Sequence, residues 1–145
     1  MSEKLDTIIV GGGQAGPATS YCLKQRGCEH VVLEQAAQSG NAWRNDRWDS
    51  FTFLTPNWSF RLSGAEYQGD APDGFMLRGE IVARFEQYVE RFHLPVHYRV
   101  RVTAVEQDAE GRGLSGQNQR DRDASQKRRD RYRSFSATQD TIVQR

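Results

Sequence analysis

Three glycines and one glutamate carry the clearest chemistry in this chain. Gly11, Gly13 and Gly16 stand at the spacing Gly-x-Gly-x-x-Gly, with Gln14 and Ala15 between the second and third; Glu34 follows 18 residues after the last. That pattern suits a dinucleotide. Gly11 permits a tight turn, Gly13 removes a side chain that would hold a pyrophosphate off the backbone, and Gly16 lets a helix lie close on a strand. The first N–H groups of a helix opening here have no partner of their own and face an anion, with the helix dipole adding to the attraction. A carboxylate at Glu34 accepts hydrogen bonds from ribose hydroxyls and repels a ribose 2′-phosphate. The site therefore suits FAD or NAD rather than NADP, and the fingerprint alone does not separate the first two.

These residues need particular elements to place them. Residues 5–10, rich in β-branched types, read as a buried parallel strand ending at the glycines. A helix is expected over residues 14–26, with Gly27 as its stop and Ala15, Ala18, Thr19 and Cys22 facing inward. Residues 30–34 form the second strand. Strand, helix and strand make a right-handed βαβ unit. Residues 35–79 lack a regular period but hold all three tryptophans, Trp43, Trp48 and Trp58. A disordered linker is not so aromatic, so this stretch is expected to be an ordered excursion. Ile81, Val82, Phe85, Tyr88, Val89 and Phe92 line one face of a helix over residues 80–93, which Pro95 closes. A third parallel strand follows at 96–98. The alternation of Tyr98, Val100, Val102 and Ala104 with polar residues then reads as a half-exposed strand. The expected fold is α/β: a Rossmann-type FAD/NAD(P)-binding three-layer unit with a parallel sheet, incomplete in this chain.

Composition divides the chain. Hydrophobic residues make up 37% overall, but the deficit lies beyond Gly113. Residues 114–145 carry 8 Lys/Arg against 4 Asp, leaving residues 1–113 with a net charge of −3 out of the chain's +1. We expect a dinucleotide-binding N-terminal portion over 1–113, which the family resemblance below implies is FAD-binding, and a basic, low-complexity, disordered tail over 114–145. The acidic head argues against nucleic-acid binding, and the tail offers few stacking residues. Neither a signal peptide nor a membrane span is read in the sequence, and a soluble, cytoplasmic protein is expected. Cys22 and Cys28 lack metal-ligand spacing and read as reduced, structural thiols. No metal site is expected. His30, His93 and His97 read as structural residues.

The run Thr7-Ile8-Ile9-Val10-Gly11-Gly12-Gly13-Gln14-Ala15-Gly16, then Val32-Leu33-Glu34, then Gly40-Asn41-Ala42-Trp43-Arg44, resembles the start of the flavin-containing monooxygenase and Baeyer–Villiger-type superfamily. The block from Arg47-Trp48-Asp49 to Thr55-Pro56-Asn57 is similar to a bacterial branch of flavoprotein oxidoreductases. The resemblance covers about residues 5–110. It implies FAD at the first Rossmann unit and NADPH at a second glycine motif further downstream, a motif this sequence does not contain. It places Gly11, Gly13, Gln14, Ala15, Gly16, Glu34 and Gln35 on FAD-binding positions. Trp43 and Arg44 fall beside the flavin half, where Arg44 could neutralise the pyrophosphate or cover the ring system. Asp49 and Thr52 fall near the isoalloxazine, and the backbone of Val102 at the adenine edge. Each has a plainer reading too: core aromatics for the tryptophans, surface ion pairs for Arg44 and Arg47. One departure from the family is Leu62-Ser63-Gly64, where a Leu-Pro-Gly turn is usual. Another is the lack of a recognisable strand closing the first half of the FAD domain.

The sequence thus points to the N-terminal FAD-binding portion of an FAD-dependent, NAD(P)H-using oxidoreductase, monooxygenase-like. The expectation is that the chain is truncated by an interrupted frame and weakly active or inactive alone. The alternatives are an NAD-binding dehydrogenase fragment and a non-catalytic dinucleotide-binding module. No residue stands out as a catalytic acid or base, and the small-molecule substrate is not readable.

Overall fold

The computed structural model describes residues 3–107, 113–120, 134–138 and 142–143. The first long strand, β2 (Thr7–Val10), runs into the glycine turn and helix α1 (Ala15–Gln25), and the chain returns in β3 (His30–Glu34). β2 and β3 pair in parallel, from Thr7 against His30 to Val10 against Leu33. β4 (Val96–Tyr98) adds in parallel on the far side of β3, and β8 (Ile142–Val143) in parallel on the far side of β2. The strand order is therefore β4-β3-β2-β8. This is the opening order of a doubly wound sheet, with its reversal point beside β2.

Helix α3 (Arg78–Arg91) buries Ile81, Val82, Phe85 and Tyr88, the face its periodicity indicates, while Val89 and Phe92 are half-buried. Against this face the excursion delivers Phe51, Phe60, Leu62 and Met76. Each of these side chains contributes about 1.5–3 kcal/mol by leaving water. Residues 35–79 are thus one wall of the principal core. They contain a short helix, α2 (Asn41–Asn45), a single 3-10 turn at Asn57–Ser59 and a two-stranded contact between Thr52 and Leu77.

The other face of the parallel sheet presents Ile8, Val31 and Leu33, which pack with Val100 from β5 (Val100–Gln107). β5 starts a second sheet, ordered β1-β7-β6-β5, that contains β1 (Glu3–Lys4), β6 (Gly113–Arg120) and β7 (Ser134–Thr138). β5, β6 and β7 pair antiparallel in sequence, and β1 joins β7 in parallel. The layers are helices, parallel sheet and antiparallel sheet, so the expected α/β Rossmann-type architecture is present.

Four expectations need correction. In α1 the fully buried residues are Gly16, Pro17 and Ser20, whereas Ala15, Ala18, Thr19 and Cys22 are half-buried. Ser20 is drawn inside because its hydroxyl bonds to Nε2 of buried His30 at 2.7 Å. The α3 helix starts two residues early, and it ends before Pro95 can act. Phe92 is its last cap and His93 turns left-handed at φ 47°, while Lys24 of α1 donates to the carbonyls of Phe92 and His93 at 2.6 and 3.0 Å. The alternation from Tyr98 is not one strand. Arg99 breaks it at φ 59°, passing the chain from one sheet to the other, and a register shift follows between Val102 and Ala104. Finally, β6, β7 and β8 lie in residues 114–145 or start at their border, where no regular element is expected. A two-residue strand such as β8 is too short to show a period. Ladder hydrogen bonds are made by backbone, so polar residues in β6 can pair as well as apolar ones.

Candidate functional site

The glycine turn leaves the C-terminal end of β2 at the point where strand order reverses, which is where ligands bind in open α/β sheets. Gly11 sits at φ 104°, a conformation that side chains disfavour, and its N–H continues the parallel ladder to the Leu33 carbonyl at 2.9 Å. Gly16 is fixed by contact rather than by backbone angle. A Cβ there would lie 2.0 Å from the Gly11 carbonyl oxygen. Only a glycine lets α1 begin this close to the turn. Gln14 is the N-cap and supplies no side-chain cap, Ala15 is the first helical residue, and Pro17 has no N–H to leave unpaired. The amides of Gln14, Ala15 and Gly16 are the donors that this helix start directs outward. Gly13 is exposed at the mouth of the turn.

Glu34 ends β3 beside this turn. One carboxylate oxygen accepts from the Gly12 N–H and the other from the Ala36 N–H at 2.7 Å. A carboxylate has about four acceptor sites, so roughly two remain for ribose hydroxyls. Gly12 was passed over in the sequence because the triplet pattern skips it. Its Cβ would come 2.9 Å from the Glu34 Cβ and 3.0 Å from its carboxylate. The signal was visible as a run of three glycines where the fingerprint requires two. Gln35 is exposed just beyond. The segment after it is tied down by the Ala36 carbonyl, which accepts from Arg99 N–H at 2.9 Å, and by a short hydrogen bond between Ser39 and Tyr98 hydroxyls. Val102, half-buried in β5, packs on the Ile8, Val31 and Leu33 cluster under the strand ends.

A second group of expected residues gathers on the α2 side. Trp43 packs on the principal core, with its ring 6.5 Å from Phe85 and nearly parallel. Arg47 lies over both Trp43 and Phe51, 5.4 and 5.7 Å from the ring centroids. With Trp48, Phe53, Leu54 and Thr55 they line an open groove of about 380 Å³. Trp48 is 66% exposed and Trp58 53% exposed, so of the three tryptophans only Trp43 packs substantially inside. Arg44 pairs with Glu86 of α3 at 2.5 Å and its Nε is buried without a partner. Asp49 is almost fully exposed and pairs with Arg78 at 2.8 Å. Thr52 is exposed and pairs through its backbone with Leu77. Arg78 and Glu86 had no local signal in the sequence, since their partners lie 29 to 42 residues upstream.

His30 is buried. The Cys28 carbonyl can only accept, so Nδ1 at 2.8 Å carries the proton, and in the neutral ring Nε2 accepts from Ser20. It ties α1 to β3 and faces no cavity among those described. Burial first, then the neighbouring Cys22, Tyr21 and Glu66, push the Tyr88 phenol well above its usual range. Its hydroxyl donates to the Ser63 carbonyl at 2.8 Å. No cluster of metal-ligating side chains exists among the described residues, and no helix among them is long and apolar enough to cross a membrane.

A parallel sheet reversing at a glycine turn, with an acid closing the neighbouring strand and an antiparallel sheet on the opposite face, defines the Rossmann-type fold of the FAD/NAD(P)-binding flavoproteins. The comparisons place the chain more narrowly. It is 34% identical over 110 residues to an uncharacterized CzcO-like oxidoreductase of Geobacillus kaustophilus, covering 76% of this chain and 31% of that one. It is 36% identical over 101 residues to an uncharacterized oxidoreductase CzcO of Bacillus velezensis, covering 70% and 29%. Among solved structures, a flavin-containing monooxygenase from Stenotrophomonas maltophilia superposes with a TM-score of 0.74 at 28% identity, covering 94% of this chain and 37% of that one. No protein-family model matches the chain. The chain is a homologue of the flavin-containing monooxygenase-type flavoprotein oxidoreductases, and it spans about a third of the length of these relatives.

Proposed function

We propose that this chain is the FAD-binding, N-terminal portion of an FAD-dependent, NAD(P)H-using oxidoreductase of the monooxygenase kind. The observation that carries the reading is the glycine turn at the sheet reversal, with Glu34 held across it by the Gly12 amide. The fit to a dinucleotide is tested by Gly16, where a Cβ would strike the Gly11 carbonyl. The helix start can approach a pyrophosphate only because this contact has been kept free of a side chain.

In the proposed complex the amides of Gln14, Ala15 and Gly16 hold the pyrophosphate, with Gly11 and Gly13 clearing its approach. The remaining acceptor sites of Glu34 orient the adenosine ribose, with Gln35 beside it. Val102 supports the adenine edge from the second sheet. The groove at Trp43, Arg47 and Phe51 is of the size of a small ligand site and is proposed to flank the flavin half, with Arg44 and Asp49 in the same segment. When bound, FAD would supply the redox chemistry. The residues of this chain bind and orient it. The nicotinamide half of the reaction belongs to a second site outside the features described, so this chain alone is proposed to be weakly active or inactive. Its setting is proposed to be cytoplasmic.

Titration of the purified chain with FAD, ADP, NAD and NADPH tests the reading. Binding of FAD and ADP, with NADPH weaker, is expected. Binding of NAD with none of FAD would replace it with a dehydrogenase-type site, and binding of no nucleotide would remove the site altogether.

A further inference from the structure

The α2 side of the site depends on a residue outside every motif. Arg78 is the first residue of α3, and its backbone N–H donates to the Phe51 carbonyl at 3.0 Å. Its guanidinium reaches the opposite way. Nη1 donates to the carbonyls of Arg44 at 3.3 Å and Arg47 at 3.0 Å, and Nη2 pairs with the Asp49 carboxylate at 2.8 Å. The Arg44 carbonyl lies in the last turn of α2, where carbonyls have no partner within the helix. One side chain thus pins the segment 44–49 at three points, and that segment includes Arg47 and Trp48 of the groove.

The placement works against α3 itself. A cation at a helix N-terminus opposes the dipole, and the turn is rescued by Glu80, whose carboxylate accepts the Leu77 N–H at 2.7 Å. Arg78 therefore does not serve its own helix. The Asp49 end of the ion pair is almost fully in water while the Arg78 end is half-buried, so the pair itself adds little. What Arg78 contributes is the pair of carbonyl bonds, both from Nη1, made while Nη2 is turned to Asp49; a single ammonium cannot reproduce that planar two-nitrogen geometry in full.

We propose that Arg78 is the positioning residue of the flavin-side segment, setting the groove formed by Trp43 and Arg47 before the cofactor arrives. The proposal rests on the FAD reading above. The test uses the whole 145-residue chain as wild type, Arg78→Met and Arg78→Lys. Affinity for FAD and for ADP is measured by titration, and backbone amide exchange is followed in the same proteins. In the proposed complex ADP engages the glycine turn, Glu34, Gln35 and Val102 but nothing on the α2 side. Arg78→Met should weaken FAD by about tenfold, the scale of losing hydrogen bonds to a charged group, and leave ADP unchanged. Arg78→Lys should recover part of the loss, since it restores the charge without the fork. Amides of residues 45–53 should exchange faster in Arg78→Met, while those of β2 and β3 should not. Equal loss of FAD and ADP would mean a general loss of folding, and unaltered FAD affinity would mean no positioning; either overturns the proposal. If the wild type binds ADP without FAD, the flavin reading fails on its own. The exchange at 45–53 then still decides whether Arg78 holds the segment.

Discussion

Two glycine-to-alanine changes, both near a helix start, should act in opposite directions. At Gly16 the new Cβ would be 2.0 Å from the Gly11 carbonyl oxygen, backbone against backbone, with the Ile9 side chain a further 3.5 Å neighbour. Neither backbone can yield without moving α1 off β2. Overpacking of this sort costs about 3 kcal/mol or more. Alanine recovers at most about 1 kcal/mol of helix propensity, so the net loss is roughly 2 kcal/mol at least. At Gly79, the second residue of α3, a Cβ meets nothing within 4 Å and the backbone needs no positive φ. There alanine only narrows the unfolded ensemble and should stabilise by about 0.5 kcal/mol. Thermal unfolding followed by circular dichroism separates the two: Gly16→Ala should lower Tm by about 4–8 °C or more, and Gly79→Ala should raise it by about 1–2 °C. A Gly16→Ala protein as stable as wild type would refute the claim that the third glycine is required by contact. ADP affinity in that variant would show whether the turn had moved.

Glu34→Ala should weaken ADP by about 1.5–3 kcal/mol in isothermal titration. It should also destabilise the ligand-free chain, because the Gly12 and Ala36 amides lose their acceptor; unchanged stability would show that those bonds are not made in solution. Ser20→Ala leaves buried Nε2 of His30 without a donor and should cost about 1–3 kcal/mol in denaturant unfolding; a neutral result would place water at that nitrogen. Tyr88 concerns alkaline pH. Its folded pKa is raised, so its full contribution is present below the unfolded value near 10 and is lost as pH climbs toward the folded one. Over that window stability should fall by about 1.4 kcal/mol per pH unit from this group. Tyr88→Phe should lower stability at pH 7 by about 1 kcal/mol, through the lost bond to Ser63, and flatten the alkaline limb. An unchanged alkaline slope would mean another group dominates it.

What could be read from the sequence was whatever is encoded locally. β2, the glycine turn, α1 and β3 lie within about thirty residues, and each signal sits on the element it describes. The buried face of α3 was legible for the same reason, because Ile81, Phe85 and Tyr88 repeat at helical spacing. The wall made by Phe51, Phe60, Leu62 and Met76 was not, since an irregular segment packs aromatics without any period. Arg99 at φ 59° carries no sequence preference for that angle, so the passage between sheets was hidden in an alternation that looked continuous. The site divided likewise. Gly11, Gly16 and Glu34 were legible because a tight turn into a helix and the neighbouring strand end impose a spacing on nearby residues. Gly12 was hidden behind the standard triplet, and Arg78 and Glu86 act across distances along the chain that no motif spans.

The neighbours of β2 bear on how the protein is made. On one side it meets β3, about twenty residues away, but on the other it meets Ile142 and Val143, with Ile8 opposite Ile142 and so 134 positions apart. Chains emerge from the ribosome N-terminal end first, at about 5–20 residues per second. For several seconds β2 therefore has one satisfied edge and one bare one, with the row of backbone donors and acceptors beside the glycine turn open to any passing strand. Such an edge is a template for pairing with other chains, and contacts this distant are slow to form. The crevice that would receive the dinucleotide is bounded by that same edge. Among the described strands of this sheet, its final wall is thus the last to be put in place, and a nucleotide arriving earlier would meet a half-built site.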